Sequence, residues 1–243
     1  TKQRTGNYHL LIDSVRGATN HLYSSNTQAE RTSGTENDGI VAFHPDGYTA
    51  GYKGGWGFSN TDNTPYVAWN WDMGANTPTG FAVNTYVGTG GNNSVYGTGF
   101  SPDMVWFKVI SEAGNHQLYD TVRGASSRLV PNATTAEATT SNGFAKFDVD
   151  GFTLDGGGGG GDVNTSGRSY VAWSWDMGDT TASNTSGSIT SSVRANQTYG
   201  QSIVKATYSG SGTQTFGHGL SAAPDMIIGK ALNHAYGWGV YHS

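Results

Sequence analysis

The acidic residues spaced closely enough to act together lie around residue 150. Asp148 and Asp150 precede Gly151, and Asp155 and Asp162 flank a run of six glycines. Ca²⁺ prefers such oxygen ligands, but an EF-hand loop also needs glycine at its sixth position and glutamate at its twelfth, and neither is present. We therefore keep Asp148 and Asp150 only as weak calcium candidates and expect no other metal or cofactor.

The glycine run does not match a phosphate-binding loop. Asp-Val-Asn follows Gly161, where the Walker pattern requires Lys and then Ser or Thr. Six glycines carry a large conformational entropy and have no side chains to offset it, which favours a slack surface loop. The alternative is close packing of this backbone against a ligand or a partner chain.

A second loop carries the side chains best suited to binding. Tyr52, Lys53 and Trp56 lie in the turn GYKGGWGF, at the place that the glycine run occupies in a second copy of the sequence. An aromatic ring at the tip of a variable loop offers an apolar face beside polar groups, which suits a sugar ligand. We predict these three residues, with Asp155 and Asp162, as ligand-binding candidates.

The glutamates do not form a catalytic pattern. A sandwich-fold glycanase of the laminarinase type places two carboxylates on one strand as Glu-x-Asp-x-x-Glu. None of the four glutamates begins that pattern, and neither Gly-x-Ser-x-Gly nor His-Glu-x-x-His occurs. We predict that the protein is not an enzyme, and a sandwich-fold carbohydrate-active enzyme is the disfavoured alternative.

Two acid–base pairs recur with the same spacing. Asp13 and Arg16 precede Gly-Ala in one place, and Asp120 and Arg123 precede Gly-Ala in another. Because each pair follows a short alternating segment, we predict an ion pair that clamps a turn rather than a catalytic pair.

Composition narrows the class of protein. The 243 residues include 37 glycines, no cysteine and 12% aromatic residues, with a net charge of -5. This charge argues against a nucleic-acid groove, which clusters Lys and Arg. The absence of a long apolar run argues against membrane insertion, and the aromatic content argues against disorder.

The chain is built from repeats. PYVAWNWDMG (65–74) returns as SYVAWSWDMG (169–178), LIDSVRGAT (11–19) as LYDTVRGAS (118–126), and SPDMVWFK (101–108) as APDMIIGK (223–230). We define copy 1 as residues 1–79, which lacks its N-terminal strands, copy 2 as 80–198, which is complete with a Ser/Thr-rich end, and copy 3 as 199–243, the N-terminal part only. A segment of a longer repetitive polypeptide is the simplest interpretation. The alternative is that 201–243 of one chain completes copy 1 of the next by strand donation.

Alternation of side chains predicts the fold class. In 66–72, Val67, Trp69 and Trp71 share one face, and the second copy places Trp173 and Trp175 in the same way. We expect these four tryptophans in the core. Further strands are predicted at 8–13, 40–43, 81–87, 104–110, 117–121, 144–147 and 203–208, with 179–197 as a linker or an edge strand. The result is an all-β protein of tandem antiparallel β-sandwich repeats, jelly-roll-like, with essentially no helix.

Taken together, the blocks SPDMVWFK, LYDTVRGAS, DGFT, SYVAWSWDMG and GHGLSAAPDMIIGK resemble the repeated all-β domain of tail-fibre and related structural proteins of marine bacteriophages, such as those infecting cyanobacteria. Asn70 and Ser174 stand where that pattern often has cysteine. The resemblance implies a virion fibre component, located in the tail fibre or on an extracellular surface. It implies self-association as a homotrimer or filament and contact with host-surface glycan. A bacterial adhesin or filament subunit is the alternative.

Overall fold

The computed structural model describes residues 2–3, 9–33, 39–51, 60, 62–74, 79–156 and 162–243, and these residues contain strands but no helix. None of them forms a helix long and apolar enough to cross a membrane. The strands are β1 (Lys2–Gln3), β2 (Leu10–Leu11), β3 (Asn20–Tyr23), β4 (Arg31–Thr32), β5 (Gly39–His44), β6 (Gly47–Gly51), β7 (Tyr66–Val67), β8 (Phe81–Val87), β9 (Asn93–Tyr96), β10 (Met104–Val109), β11 (Gln117–Asp120), β12 (Ser127–Arg128), β13 (Ala138–Thr139), β14 (Phe144–Asp148), β15 (Gly151–Leu154), β16 (Ser169–Trp175), β17 (Ala182–Asn184), β18 (Ser191–Asn196), β19 (Gln201–Ala206), β20 (Met226–Gly229) and β21 (Gly239–His242).

Copy 2 forms a β-sandwich. One layer is an antiparallel sheet in the order β11-β10-β16-β8, and the other is a sheet in the order β14-β15-β9. Between the layers, Val105, Phe107 and Tyr119 of the first sheet pack against Phe152 and Leu154 of the second, and all five side chains are fully buried. The predicted all-β, sandwich-like class is therefore confirmed.

The four-stranded sheet is also buried on its opposite face. Alternation along β16 turns Val171, Trp173 and Trp175 away from the sandwich core and into a second apolar cluster. That cluster includes Leu22 from copy 1, and Ile203 from copy 3 packs against it. The prediction that Trp173 and Trp175 lie in the core is confirmed.

The same prediction is wrong for Trp71 of copy 1, which is 44% exposed, while Trp69 is half-buried. The strand predicted over 66–72 is also shorter, because β7 contains only Tyr66 and Val67. In copy 2 the corresponding strand β16 lies between β10 and β8, whereas β7 pairs, within the described part of the chain, only with the two residues of β1.

The Ser/Thr-rich end of copy 2 folds more regularly than predicted. Residues 191–196 form β18, which is the central strand of a sheet in the order β17-β18-β19. The prediction of an edge strand is therefore wrong for this segment. Because β19 belongs to copy 3, this sheet joins the two copies.

Two glycines at equivalent positions have different surroundings. A Cβ added to Gly151, at the start of β15, would lie 2.0 Å from the carbonyl oxygen of Val95 in β9. A Cβ added to Gly47 would meet no atom of the described residues within 4 Å. The repeat thus supplies its own matched control.

We predict that Gly151→Ala lowers the free energy of unfolding by about 1–3 kcal/mol, because the clash is with backbone that cannot turn aside. Gly47→Ala should change it by less than about 0.5 kcal/mol. Urea unfolding followed by tryptophan fluorescence measures both. Equal decreases in the free energy of unfolding of the two variants would contradict the close contact between Gly151 and Val95.

Candidate functional site at the contacts between copies

The turn after β2 is held by a buried three-residue clamp. One carboxylate oxygen of Asp13 accepts the Arg16 backbone N–H at 2.9 Å, and the other accepts Arg16 Nε at 2.7 Å. Arg16 Nη1 reaches Glu30 Oε1 at 2.7 Å. With the Leu11 carbonyl, 3.3 Å from Arg16 Nη2, three acceptors satisfy the guanidinium where Gly17, with a φ of 95°, turns the chain.

Copy 2 repeats the clamp atom for atom. Asp120 accepts the Arg123 backbone N–H at 2.9 Å and Arg123 Nε at 2.5 Å, and Arg123 Nη1 lies 3.0 Å from Glu137 Oε2. The predicted turn clamp is confirmed in both copies. The glutamate was missed as its third member, although the recurrence of Ala-Glu at the same spacing was visible in the sequence.

The first clamp also contacts the next copy. Trp173 Nε1 donates to Asp13 Oδ2 at 3.2 Å, and the Arg16 guanidinium lies 5.5 Å from the centre of the Trp173 ring. A cation over an indole face gains from the ring quadrupole, the more so where water is excluded. One arginine therefore closes a turn in copy 1 and covers a tryptophan of copy 2.

A backbone contact between copies occurs twice in the same form. The Glu30 N–H donates to the Ile110 carbonyl at 3.0 Å, and the Glu137 N–H donates to the Leu232 carbonyl at 2.7 Å. Ile110 and Leu232 are each the eighth residue after the proline of a Pro-Asp-Met segment. Copy 1 therefore meets copy 2 as copy 2 meets copy 3.

A ring nitrogen repeats this correspondence. His116 Nε2 lies 2.9 Å from the Tyr23 carbonyl. Trp238 Nε1 donates to the carbonyls of Val130 at 3.3 Å and Ala133 at 3.2 Å. His116 and Trp238 are equivalent positions, as are Tyr23 and Val130. The two interfaces thus keep the same donor and acceptor sites although the donor side chain differs.

The hydrogen bonds of His116 define its charge state. Trp106 Nε1, which can only donate, donates to His116 Nδ1 at 2.8 Å, so the proton of the neutral ring is on Nε2, facing Tyr23. Burial lowers the pKa of His116 from 6.5 to about 3 because a buried imidazolium loses its hydration. The hydrogen bond from Trp106 therefore requires a neutral histidine, because a protonated ring has no lone pair on Nδ1 to accept it.

A cleft of about 390 Å³ opens beside this contact. It is lined by Val15, Arg16, Glu30, Thr85, Tyr86, Val87, Ile110 and Ser169. Its charged groups, Arg16 and Glu30, are paired with each other in the clamp. The cleft combines short aliphatic and hydroxyl groups at the seam between two copies.

Strand β10 also carries a buried lysine. Lys108 is fully buried and donates from Nζ to the Val109 carbonyl at 2.6 Å. Burial lowers its pKa to about 8, against the opposing effect of Asp162 and Glu112. Lys230 of copy 3 makes the same contact with the Ala231 carbonyl at 2.8 Å, so the contact belongs to the strand end in both copies.

Asp155 and Asp162, the two acidic binding candidates beside the glycine run, each accept hydrogen bonds from other residues of copy 2. Asp155 Oδ1 accepts the Gly143 N–H at 2.5 Å. Asp162 accepts the Tyr170 hydroxyl at 2.7 Å and Arg168 Nη1 at 2.7 Å. Both residues flank residues 157–161, which lie outside the described part of the chain. The two aspartates hold the ends of this loop to the sandwich.

The calcium candidates are separately engaged. Asp148 pairs with Lys146 at 2.6 Å, and Asp150 accepts the N–H groups of Gly97 at 3.3 Å and Gly99 at 2.7 Å. Within the described ranges, no three His, Asp or Glu side chains converge as metal ligands. Asp150 therefore stabilises a turn.

Tyr52, Lys53 and Trp56 lie outside the described residues. The proposal that they bind a ligand therefore stays a prediction.

Comparison with known proteins gives one result. A family profile described as a domain of unknown function, DUF7483, matches residues 1–80 and 78–243. The chain belongs to the DUF7483 family. Among curated proteins and among solved structures there is no match. The two DUF7483 matches meet at residues 78–80, and the second runs without a break through copies 2 and 3.

We predict that lowering the pH decreases the free energy of unfolding of the DUF7483 chain because His116 becomes protonated on unfolding. The unfolded chain takes up a proton on this ring below about pH 6.5, and the folded chain only near pH 3. The stability that depends on neutral His116 is therefore present above pH 6.5 and falls as the pH drops from 6.5 towards 3. The loss at pH 4.5 should be about 2–3 kcal/mol.

His116→Gln is the matched control, because its amide both accepts from Trp106 and donates to Tyr23 without titrating in this range. Urea unfolding at pH 7 and pH 4.5 should show a larger loss for the native chain than for the variant. Equal losses would mean that His116 does not control the acid response.

Proposed function

We propose that this DUF7483 chain is a non-enzymatic, repeat-built structural segment of a fibre, most specifically a phage tail fibre that contacts host-surface glycan. The observation that carries the proposal is the repeated contact between copies: Glu30 to Ile110 and Glu137 to Leu232. A chain that builds the same interface twice is organised for assembly.

The character of this interface supports the structural role. Each contact joins the clamp end of one copy to the Pro-Asp-Met strand of the next, so each copy uses two different surfaces. Such head-to-tail contacts join neighbouring copies through two different surfaces, and stability grows with each nearest-neighbour interface. The contacts combine backbone hydrogen bonds with hydrogen bonds from the rings of His116 and Trp238.

The state of the carboxylates supports a role without catalysis. A general acid or base must reach a substrate proton in its working charge state. Glu137 is instead paired with Arg123 at 3.0 Å, and Glu30 with Arg16 at 2.7 Å. These glutamates are engaged as acceptors in structural ion pairs.

The adhesive part of the proposal rests on repetition and on the resemblance to marine phage fibre domains. Several weak glycan sites on one shaft gain avidity without any one being tight. The loop of Tyr52, Lys53 and Trp56 and the loop between Asp155 and Asp162 occupy corresponding places in two copies. Sites at corresponding places would recur along the shaft.

We predict that negative-stain images of the native particle, labelled with an antibody raised against this chain, place the label on a fibre attached to a tail. The physical reason to expect a larger assembly is the exposed apolar face of the hairpin β20–β21. Label on cell-derived filaments would contradict the phage assignment and support a cellular adhesin.

Glycan-array binding by the whole chain tests the adhesive role. We expect binding that is lost in Trp56→Ala and kept in Val149→Ala, since Val149 is exposed on another turn. Absence of binding to any glycan would leave a scaffold alone. Hydrolysis of a polysaccharide that Glu137→Gln abolishes would overturn the non-enzymatic assignment.

A second candidate, a filament subunit assembled by strand donation, is favoured by the hairpin β20–β21. Its register repeats that of β10–β11, with Ile227 opposite Tyr241 as Val105 is opposite Tyr119. Val105 and Tyr119 are fully buried, whereas Ile227 and Tyr241 are more than half exposed. The hairpin presents an apolar sheet face of the kind that the second layer covers in copy 2.

We predict for this candidate that Ile227→Lys lowers the mass of any assembly measured by light scattering across a concentration series. Lys205→Ala, on β19, is the control and should leave assembly unchanged. A chain that stays monomeric at every concentration would contradict strand donation between chains.

A further inference from the structure

A contact runs from copy 3 back to copy 1. The rings of Trp69 and His242 lie 5.7 Å apart at an interplanar angle of 74°. Trp69 is the counterpart of Trp173, and His242 is the counterpart of Asp120 and Asp13. The pair therefore repeats the contact between Asp13 and Trp173, with copy 3 in the place of copy 1 and copy 1 in the place of copy 2.

A different set of contacts joins residues to their own counterparts. The rings of Trp71 and Trp175, equivalent residues of copies 1 and 2, lie 6.2 Å apart in an edge-to-face arrangement. Met73 and its counterpart Met177 belong to the same apolar cluster. Equivalent groups contact each other where they lie close to a rotation axis, since each is carried onto the other by the rotation.

Copy 3 reaches this cluster as well. Ile203 packs against it, and Ile203 corresponds to Phe81 of copy 2, which lies 5.0 Å from Trp175 between ring centres. Residues of all three copies thus pack around one apolar centre, as equivalent pairs from copies 1 and 2 and from copies 2 and 3.

Head-to-tail contacts either close into a ring or continue as an open array, depending on the rotation between neighbours. The contacts run from copy 1 to copy 2, from copy 2 to copy 3 and from copy 3 to copy 1. We infer that the three copies close into a ring about a pseudo-threefold axis through the Trp71–Trp175 cluster.

Closure of the ring determines which surfaces of the chain remain free to bind further chains. In a closed ring the surfaces used between copies are occupied, so further chains add through other surfaces, such as the exposed hairpin β20–β21, and not by extending the head-to-tail series. This inference concerns the arrangement within one chain and holds whether or not the chain belongs to a fibre.

The contact between copy 3 and copy 1, Trp69 with His242, lacks a hydrogen bond that a substitution can restore. Trp69 Nε1 is buried and has no hydrogen-bond acceptor among the described residues. At the matching contact Trp173 donates to the Asp13 carboxylate, whereas copy 3 has His242. His242→Asp restores the acceptor only if copy 3 meets copy 1.

The experiment is a double-mutant cycle at residues 69 and 242, measured as thermal midpoints of the whole chain at pH 7. His242→Asp should raise Tm by about 3 °C or more in the native background, from a hydrogen bond to a charged acceptor. In a Trp69→Phe background this gain should disappear. Trp173→Phe, which removes the same bond at the contact between copies 1 and 2, gives the reference size of the effect.

The difference between the two backgrounds decides the inference. If His242→Asp shifts Tm equally with Trp69 and with Phe at that position, the two sites are not in contact and the copies do not close. A coupling that vanishes on dilution would assign the contact to two molecules and would also overturn the ring. A coupling independent of concentration supports it.

Discussion

The organisation of this chain depends on the buried clamp that joins an aspartate, an arginine and a glutamate. The arginine is fixed by acceptors from two directions, so its guanidinium can stay charged in a place that water barely reaches. This fixes the turn at Gly17 and presents the flat face of the guanidinium and an aspartate oxygen to Trp173. Local turn chemistry and the interface between copies are therefore one interaction. A copy that lost its clamp would lose both its own turn and its grip on the next copy.

The second constraint is that the four-stranded sheet of copy 2 is buried on both faces. Its inner face meets the second layer of its own sandwich, while its outer face, with Trp173 and Trp175, meets neighbouring copies. Two tryptophans on an outer sheet face would be costly to leave in water. A single copy is consequently unfavourable alone, which is the usual condition of repeat architectures. Trp71 of copy 1 and Ile227 of copy 3 are exposed, whereas their counterparts in copy 2, Trp175 and Val105, are buried.

The sequence predicted the fold class, the strand Phe81–Val87, the faces of β16 and the pairing of Asp120 with Arg123, because alternation and short-range spacing determine them. It did not predict the short β7, because the length of a strand depends on neighbours that alternation does not reveal. It did not predict the role of Glu137, because its contact with Arg123 joins residues 14 apart across a turn. The contacts between copies could not be predicted from the sequence. They use backbone carbonyls, such as those of Ile110 and Leu232, which every residue type carries.

Chemical function is retained more strictly than residue type at these contacts. His116 and Trp238 differ in size and in ionisation, yet each directs a ring N–H at the carbonyl of an equivalent residue. The replacement is tolerated because a carbonyl needs only a donor, and both rings supply one. The change from Asp13 to His242 is different in kind, since an indole N–H needs an acceptor and the imidazole leaves Trp69 Nε1 unpaired. The first substitution keeps the hydrogen bond to a carbonyl, whereas the second removes an acceptor and leaves an edge-to-face contact between the two rings. Contacts between copies in this family are therefore better identified by matching donors to acceptors than by matching residues.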